Sequence, residues 1–546
     1  MSVRSLATLD VLVIDCQATA ASPRGHLIEL GWSRVGPPGT TPHTRLISLP
    51  AHARIPPAVA RVTGISEAML RDGVDVQVAW RALAAEASTF AQQPVPAVAH
   101  FARFERPFLR SLAAGAPPFD LVCTHGIARR LLPDLPRCSL RALTGYFGRG
   151  IGTLRRSGEH VEATAFVWRH LVRLLEGQGV FSWSDLHRWL AAPASAGRRP
   201  GRAWPMPRDV RLSVPDAPGV YRLLRTSGDV LYIGKASSLR DRVNSYFRKQ
   251  HGVGERMLEM LSQARDLSFE VTPSALEAAL LEADEIKRHR PPYNVALTAG
   301  TREVWFTSPD LGERAPQASP RYPVGPFPSA QMLDQFAALV RGSRAAVGEG
   351  AWGPADSVFA AGLEQLRAAH GELSRDDLGA HAGFLRLGTR LWREGRRDRD
   401  PESEDGSVAG RAGTAWTADL VQVALERLAL RVALAVRRAR WLTRLVDASV
   451  VWSEPGAAGA RLLVLHQGEY VLHAAVPRGA LPPVQPGHLR AIAARRAGFT
   501  VARFDRVRVL MTELKRLIGE RAPVAAHFGA SRALAGARLA RVFAWL

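Results

Sequence analysis

Two short apolar runs, residues 219–225 and 229–234, are separated by Thr226-Ser227-Gly228. Runs of that length around a glycine turn fold as a β-hairpin, and this brings Tyr221 and Tyr232 onto neighbouring strands where cross-strand side chains meet. Leu239, Val243 and Phe247 then repeat every four residues, which predicts a helix from Ser238 to Phe247. Arg242 and Tyr246 are also four apart and share a face of that helix. Leu276, Leu280 and Ala283 mark a further helix from about Ser274 to Lys287, with Glu282 one step round from the apolar stripe.

Tyrosines, a lysine, an arginine and one carboxylate at these spacings suit phosphodiester hydrolysis. A phosphate is already anionic, so its hydrolysis needs cations and a water oriented for in-line attack. Arg242 offers a planar fork for phosphate oxygens. Glu282 is a hard oxygen ligand suited to one Mg²⁺ that keeps several waters. Tyr232 can take the water's proton if a cation such as Lys235 lowers its pKa. The plain alternative is a small α/β domain in which the tyrosines only pack and Glu282 is solvated.

The segment resembles the GIY-YIG nuclease domain, in the form found in UvrC and Cho excision-repair endonucleases. Pro218-Gly-Val-Tyr221 is similar to the first motif and Tyr232-Ile-Gly-Lys-Ala236 to the second. Leu239, Arg242, Val243 and Ser245-Tyr-Phe247 fit the helix that follows. Glu277–Glu282, Ile286-Lys287 and Pro292-Tyr-Asn-Val295 fit the remaining motifs. The resemblance implies Glu282 as the single ligand of one Mg²⁺ or Mn²⁺ and Tyr232 as general base. It implies Tyr221, Lys235, Arg242, Tyr246 and Asn294 as supporting groups. Arg240, Lys287 and Arg288 are read as DNA contacts.

The chain has 546 residues, too many for one core, and carries 72 Lys and Arg against 50 acidic residues, a net charge of +22 with pI near 11.1. That excess draws a polyanion, although arginine-rich composition alone produces it too. Cys16, Cys123 and Cys138 lie far apart, with no CxxC pair. Cysteine-held zinc or iron–sulfur sites are therefore not expected, and the count fits a reducing cytoplasm. Met1–Asp10 lacks an apolar signal core, and Val423–Val436 is broken by Glu426, Arg427 and Arg431. A soluble, cytoplasmic, nucleoid-associated protein with no membrane partner is expected.

Toward the N-terminus, Val11–Asp15 reads as a buried strand ending in an aspartate, with Leu27–Trp32 as its neighbour. Strands first and Leu/Ala-rich helices after them suggest a mixed sheet. Val11–Thr19, Ile55–Leu70, Val98–Leu109, Cys123–Leu132, Ser139–Leu143 and Glu162–Ala165 make residues 8–176 similar to DEDDh exonucleases, the family of the DNA polymerase III proofreading subunit. That resemblance implies an RNase H-like fold. Such enzymes hold two metal ions about 4 Å apart with four carboxylates and a histidine base. Here the first motif reads Asp15-Cys16-Gln17, Glu105 stands at the next acidic position, Arg155 falls where the histidine is expected and His160 where the last aspartate is expected. Glu159 and Glu162 point about 100° and 200° away from His160 on a helix. With two negative charges replaced, the domain is expected to lack normal exonuclease activity and to grip DNA or a partner. A weak nuclease with altered metal demand is the alternative.

The expected fold class is α/β multi-domain. Its parts are an exonuclease-like domain (1–190), a linker (191–208), a small α/β GIY-YIG domain (209–298), a UvrC-like extension (299–345) and a mixed α+β region (346–546). Tyr322–Ser329 is similar to the Gly-Pro-Phe-Pro-Ser segment after the nuclease domain in UvrC-like proteins, without the cysteine cluster that often follows there. Residues 394–413 read as a charged, Gly-rich loop. Thr417–Val446 reads as a long helix bearing Arg437, Arg438, Arg440 and Arg444, expected to pack internally rather than dock DNA. Val450–Trp452, Leu462–Leu465 and Tyr470–Leu472 read as strands, with Gln467-Gly468 as a turn. No Asp/Glu/His arrangement suggests a second nuclease, so a single cut, as for Cho, is expected. The leading function is a DNA-repair endonuclease, with damage-recognition or loading proteins as further partners. A bifunctional exonuclease and endonuclease, or a non-enzymatic DNA scaffold, are the alternatives.

Overall fold

The computed structural model describes residues 4–36, 41–113, 115–193, 204–248, 253–294, 303–347, 353–370, 381–394, 416–454, 458–485, 495–496, 498–529 and 532–544. Most of the linker reading (194–203), nearly all of the charged run (395–413) and Val295 lie outside them. The chain divides into two units, Met1–Ala275 with His289–Ala296, and Leu276–Arg288 with Leu297–Leu546. No helix among the described residues is long and apolar enough to cross a membrane.

The first unit opens with a five-stranded sheet made of β1 (Val11–Ala18), β2 (Leu27–Val35), β3 (His43–Leu46), β4 (Val95–Ala99) and β5 (Phe119–Cys123), ordered β3-β2-β1-β4-β5. β1 is antiparallel to β2 and parallel to β4, giving the expected mixed sheet. Strand alternation sorts β1 into two faces. Leu12, Ile14 and Cys16 enter one core with Leu83 and Phe108, while Val11 and Val13 enter another with Val161, Trp168 and Leu171. Asp15 and Gln17 share the parity of Val11 and Val13, so they face the side covered by α3 (Ser157–Glu176). Helices α1 (Ala102–Leu112) and α2 (Leu140–Tyr146) belong to the same domain.

The hairpin forms as β6 (Gly219–Leu224) and β7 (Val230–Ala236), with Tyr221 opposite Gly234 and Leu223 opposite Tyr232. A third strand, β8 (Asp266–Val271), pairs antiparallel with β6 and completes the order β7-β6-β8. Its mostly exposed residues lack the apolar alternation that marks a strand in sequence. Helices α4 (Leu239–Arg248) and α5 (Glu255–Gln263) follow the hairpin. Val214, Tyr221, Leu223, Leu231, Val243, Phe247, Met260 and Tyr293 form the core of this small domain.

Most of helix α6 (Ala275–His289) counts with the second unit. The stripe of Leu276 and Leu280 packs there with Phe306, Leu442, Phe504 and Leu510. Each fully buried leucine contributes about 1.5–3 kcal/mol. The unit also holds a three-stranded sheet, β9 (Trp305–Thr307), β10 (Arg314–Ala315) and β11 (Val324–Phe327), ordered β10-β9-β11. Helices α7 (Asp356–Ala369), α8 (His381–Arg393) and α9 (Ala418–Leu445) share one core through Phe359, Leu387, Leu425 and Val432. A second sheet comprises β12 (Ser449–Trp452), β13 (Ala460–His466), β14 (Glu469–Val476), β15 (Val524–His527) and β16 (Leu534–Ala535). Its order is β14-β13-β12-β15-β16, with all pairs antiparallel. Helix α10 (Val501–Gly519) packs into the core of this sheet. The β13–β14 turn has Gln467 and Gly468 both at positive φ, 53° and 78°, which suits the twist of a two-residue hairpin.

Candidate active sites

Gly234 allows the tyrosines of the small domain to come together. A Cβ at that position would sit 2.4 Å from the Tyr221 hydroxyl and 2.8 Å from the Tyr232 ring, so only glycine leaves room for Tyr221 to cross β7. The Tyr221 and Tyr246 hydroxyls are 2.6 Å apart, and the Tyr232 ring centroid lies 6.1 Å from Tyr221 and 6.4 Å from Tyr246. Arg242, one turn before Tyr246 on α4, places its guanidinium 5.2 Å from the Tyr246 ring centroid.

Burial pushes the Tyr221 pKa well above the usual phenol range, helped by the Tyr246 and Tyr232 hydroxyls and opposed by Arg242. Tyr221 is thus a neutral donor at physiological pH. Partial burial alone would lower the Arg242 pKa, but the three tyrosine oxygens outweigh it and shift it upward. Three phenols beside a permanent cation form a site able to hold anionic oxygen.

Asn294, more than sixty residues after Tyr232, holds the backbone beside it. Its Oδ1 accepts from the Ile233 N–H and its Nδ2 donates to the Ile233 carbonyl, both at 2.9 Å. The Tyr293 N–H donates to the Leu231 carbonyl at 3.1 Å. β7 is an edge strand, and these bonds occupy its outer polar groups on both sides of Tyr232. Lys235 is half-buried near the end of β7.

The other predicted residues fall as follows. Glu282 is half-buried on α6, in the second unit. Lys287 pairs with the buried Asp505 carboxylate at 3.3 Å and donates to the Ala502 carbonyl, so its charge is engaged within that unit. Arg288 is exposed, and Arg240 is exposed with its Nε donating to the Val214 carbonyl at 3.1 Å. The single carboxylate of Glu282 suits a Mg²⁺ that keeps most of its waters.

The exonuclease-like domain assembles four of its five predicted residues differently from a metal site. Glu29 of β2 accepts from the Ser157 N–H at 2.8 Å and from Arg156, fixing the start of α3 against the sheet. Gly31, opposite Asp15, permits that approach, since a Cβ there would meet Ser157 at 2.6 Å. His160, one turn along α3, then sets its Nδ1 3.1 Å from Asp15 Oδ1. Gln17 Nε2 donates to Asp15 Oδ2 at 3.1 Å, so both aspartate oxygens face donors.

Burial would lower the His160 pKa, but the charge and hydrogen bond of Asp15 raise it to about 9. Burial, then repulsion from Asp15, pushes Glu105 up to about 9; it is only 3% exposed and its Oε2 has no hydrogen-bond partner. The cluster therefore holds two acids, one imidazole and one amide. That donor set is short of the four carboxylates that hold two divalent cations. Among the described residues, no group of three or more His, Cys, Asp or Glu is placed to hold a metal ion. Arg155 stays exposed, its backbone N–H bonded to Glu159, and Glu162 pairs with Arg149 at 3.7 Å, so neither acid joins the cluster.

Comparisons with known proteins show what the chain is similar to. Residues 217–295 match the UvrC-like GIY-YIG domain. A protein of Mycobacterium tuberculosis (strain CDC 1551 / Oshkosh), provisionally named a bifunctional exonuclease/endonuclease, is 30% identical over 355 residues. The match takes in 62% of this chain and 53% of that relative, so the chain spans about half its length. Among solved structures, exonuclease X in complex with 5′ overhanging duplex DNA is 21% identical (31% of this chain, 93% of that one, TM-score 0.25). The UvrC GIY-YIG domain of Thermotoga maritima bound to magnesium is 39% identical (16% and 94%, TM-score 0.15). Sequence reasoning missed Gly234 as a determinant of the site, although its place between Tyr232 and Lys235 was a usable signal.

Proposed function

We propose, from the UvrC-like GIY-YIG domain at residues 217–295, that this chain is a metal-dependent DNA endonuclease of the UvrC/Cho type, acting in DNA repair. The observation that carries the reading is the Tyr221–Tyr246 pair beside Tyr232 and Arg242, inside the matched segment. Arg242 binds phosphate oxygens through its fork of N–H donors. Tyr232, as phenolate, accepts the proton of a water whose oxygen attacks phosphorus, the opposite P–O ester bond breaks in line, and the departing alkoxide takes a proton from solvent; Lys235 favours the phenolate. Tyr221 and Tyr246 are locked to each other by one shared hydrogen bond and fix the position of Tyr232, which leaves one O–H of the pair to donate to developing negative charge. Asn294 holds the backbone of β7. Glu282 would hold one Mg²⁺ or Mn²⁺, which supplies positive charge to the phosphoryl oxygens. The basic composition supports DNA as the substrate, and Arg240 and Arg288 are proposed DNA contacts. Damage-loading proteins are proposed partners, and a cytoplasmic location follows from that reading.

The exonuclease-like domain is proposed to lack two-metal exonuclease activity and to serve binding instead, because Asp15 is engaged by His160 and Gln17. The test is nicking of supercoiled plasmid by the full chain with Mg²⁺. Wild type is expected to nick and Glu282→Ala to leave the plasmid intact; equal nicking by both sinks the proposal.

A further inference from the structure

Helix α5 was not legible as a functional element, yet its side chains join the exonuclease-like domain to the strand that presents Tyr232. Glu259 stands at the junction. Its Oε2 accepts from Ser139 Oγ at 2.9 Å, and Arg141 Nε lies 3.7 Å from its Oε1. The same Oε1 accepts from the Tyr293 hydroxyl at 2.8 Å. Around it, the Arg137 N–H donates to Ser262 Oγ at 2.9 Å, and Arg137 pairs with Glu255 at 2.9 Å. Gln263, fully buried, donates to the Tyr293 hydroxyl and accepts from Arg225 Nε. Gly145 of α2 is glycine for this contact, since a Cβ would meet the Gln263 side chain at 1.9 Å.

Tyr293 is only 6% exposed, and the residues on either side of Tyr232 depend on it and its neighbour. Its N–H bonds the Leu231 carbonyl and Asn294 brackets Ile233. An edge strand has no further strand to define its position, so this clamp defines it. The clamp is in turn held by Glu259, which is itself held by Ser139.

We propose that Glu259 is a positioning residue, through which Ser139 and Arg141 of the exonuclease-like domain hold Tyr293 and so fix the β7 edge that presents Tyr232. The kinetic consequence rests on the endonuclease reading; the structural one does not. The exonuclease-like domain thereby contributes to the GIY-YIG site through the fold itself. Losing Glu259 leaves two hydroxyls without their acceptor, and a displacement of about 1 Å at a reacting group costs on the order of 10²-fold in rate.

The test compares full-length wild type, Glu259→Ala, Glu259→Gln and Ser139→Ala by hydrogen exchange of the peptide Val230–Ala236 and by steady-state cleavage with Mg²⁺. Glu259→Ala is expected to speed exchange in that peptide about tenfold or more, as local opening becomes easier. Its kcat should fall about tenfold or more, with KM within about twofold. Glu259→Gln should recover both, since its amide oxygen accepts from Tyr293 and its NH₂ donates to Ser139. Ser139→Ala removes one bond and should give a smaller rise in exchange, which keeps the proposal testable should Glu259→Ala fail to fold. Unchanged exchange in Val230–Ala236 in both Glu259→Ala and Ser139→Ala overturns the proposal, as does a loss of stability with no change in kcat. Should wild type not cut, the endonuclease reading falls while the exchange measurement still decides the positioning role.

Discussion

His160 Nδ1 lies 3.1 Å from Asp15 Oδ1, so a residue of α3 supplies a positive charge beside a buried carboxylate of β1. The imidazole's pKa is 6.5 when unperturbed and about 9 in the fold. Because folding raises it, the pair's stabilisation is complete below about pH 6.5 and is lost as pH rises through about 9. Urea unfolding midpoints of wild type should therefore fall between pH 6.5 and 9. His160→Ala should be less stable at pH 6.5 and show a shallower decline; identical pH profiles would refute the pair's role.

Glu105 gives a second pH prediction. Its carboxyl is raised from 4.5 to about 9, so the fold favours the neutral form and loses stability as pH climbs from about 4.5 toward 9. Glu105→Gln keeps the neutral shape without that loss and should be more stable than wild type at pH 8 by on the order of 1–3 kcal/mol. Chemical denaturation at pH 5 and pH 8 checks this, with little difference expected at pH 5.

The hairpin, α4 and α6 were legible because their apolar spacing and glycine turn are local signals. β6, β7 and the tyrosine cluster follow directly from them. β8 was not legible, because an edge strand with mostly exposed residues needs no apolar alternation. Asp15 and Gln17 pointed to an altered carboxylate set, and the parity of β1 does place them toward α3. That His160 would neutralise Asp15 required knowing that Glu29 and Gly31 dock the N-terminus of α3 against β2. Glu259 was invisible because its partners, Ser139 and Tyr293, are distant in sequence and meet only in the fold.

Gly234→Ala tests the packing that brings the tyrosines together. The added Cβ collides with Tyr221, which is fully buried and cannot swing away. Overpacking of this kind costs about 1–3 kcal/mol, and the displaced tyrosines should reduce cleavage by at least about tenfold. Thermal unfolding and plasmid nicking together check it; a fully active, equally stable variant would show the geometry to be dispensable.

The exonuclease-like domain should not shorten DNA ends. Glu282→Ala protein, incubated with a 3′-recessed duplex and Mg²⁺ or Mn²⁺, should leave the ends intact, since both Asp15 oxygens already face donors. Shortening that disappears on adding Asp15→Ala would instead identify a weak nuclease there.

The most direct measurement is cleavage mapping on a duplex carrying one defined bulky lesion, with and without loading proteins, comparing wild type and Glu282→Ala in Mg²⁺. The account predicts a single metal-dependent incision by wild type and none by the variant. Incision by both proteins at equal rates, or by neither across lesion and plasmid substrates, would contradict an endonuclease built on the 217–295 domain.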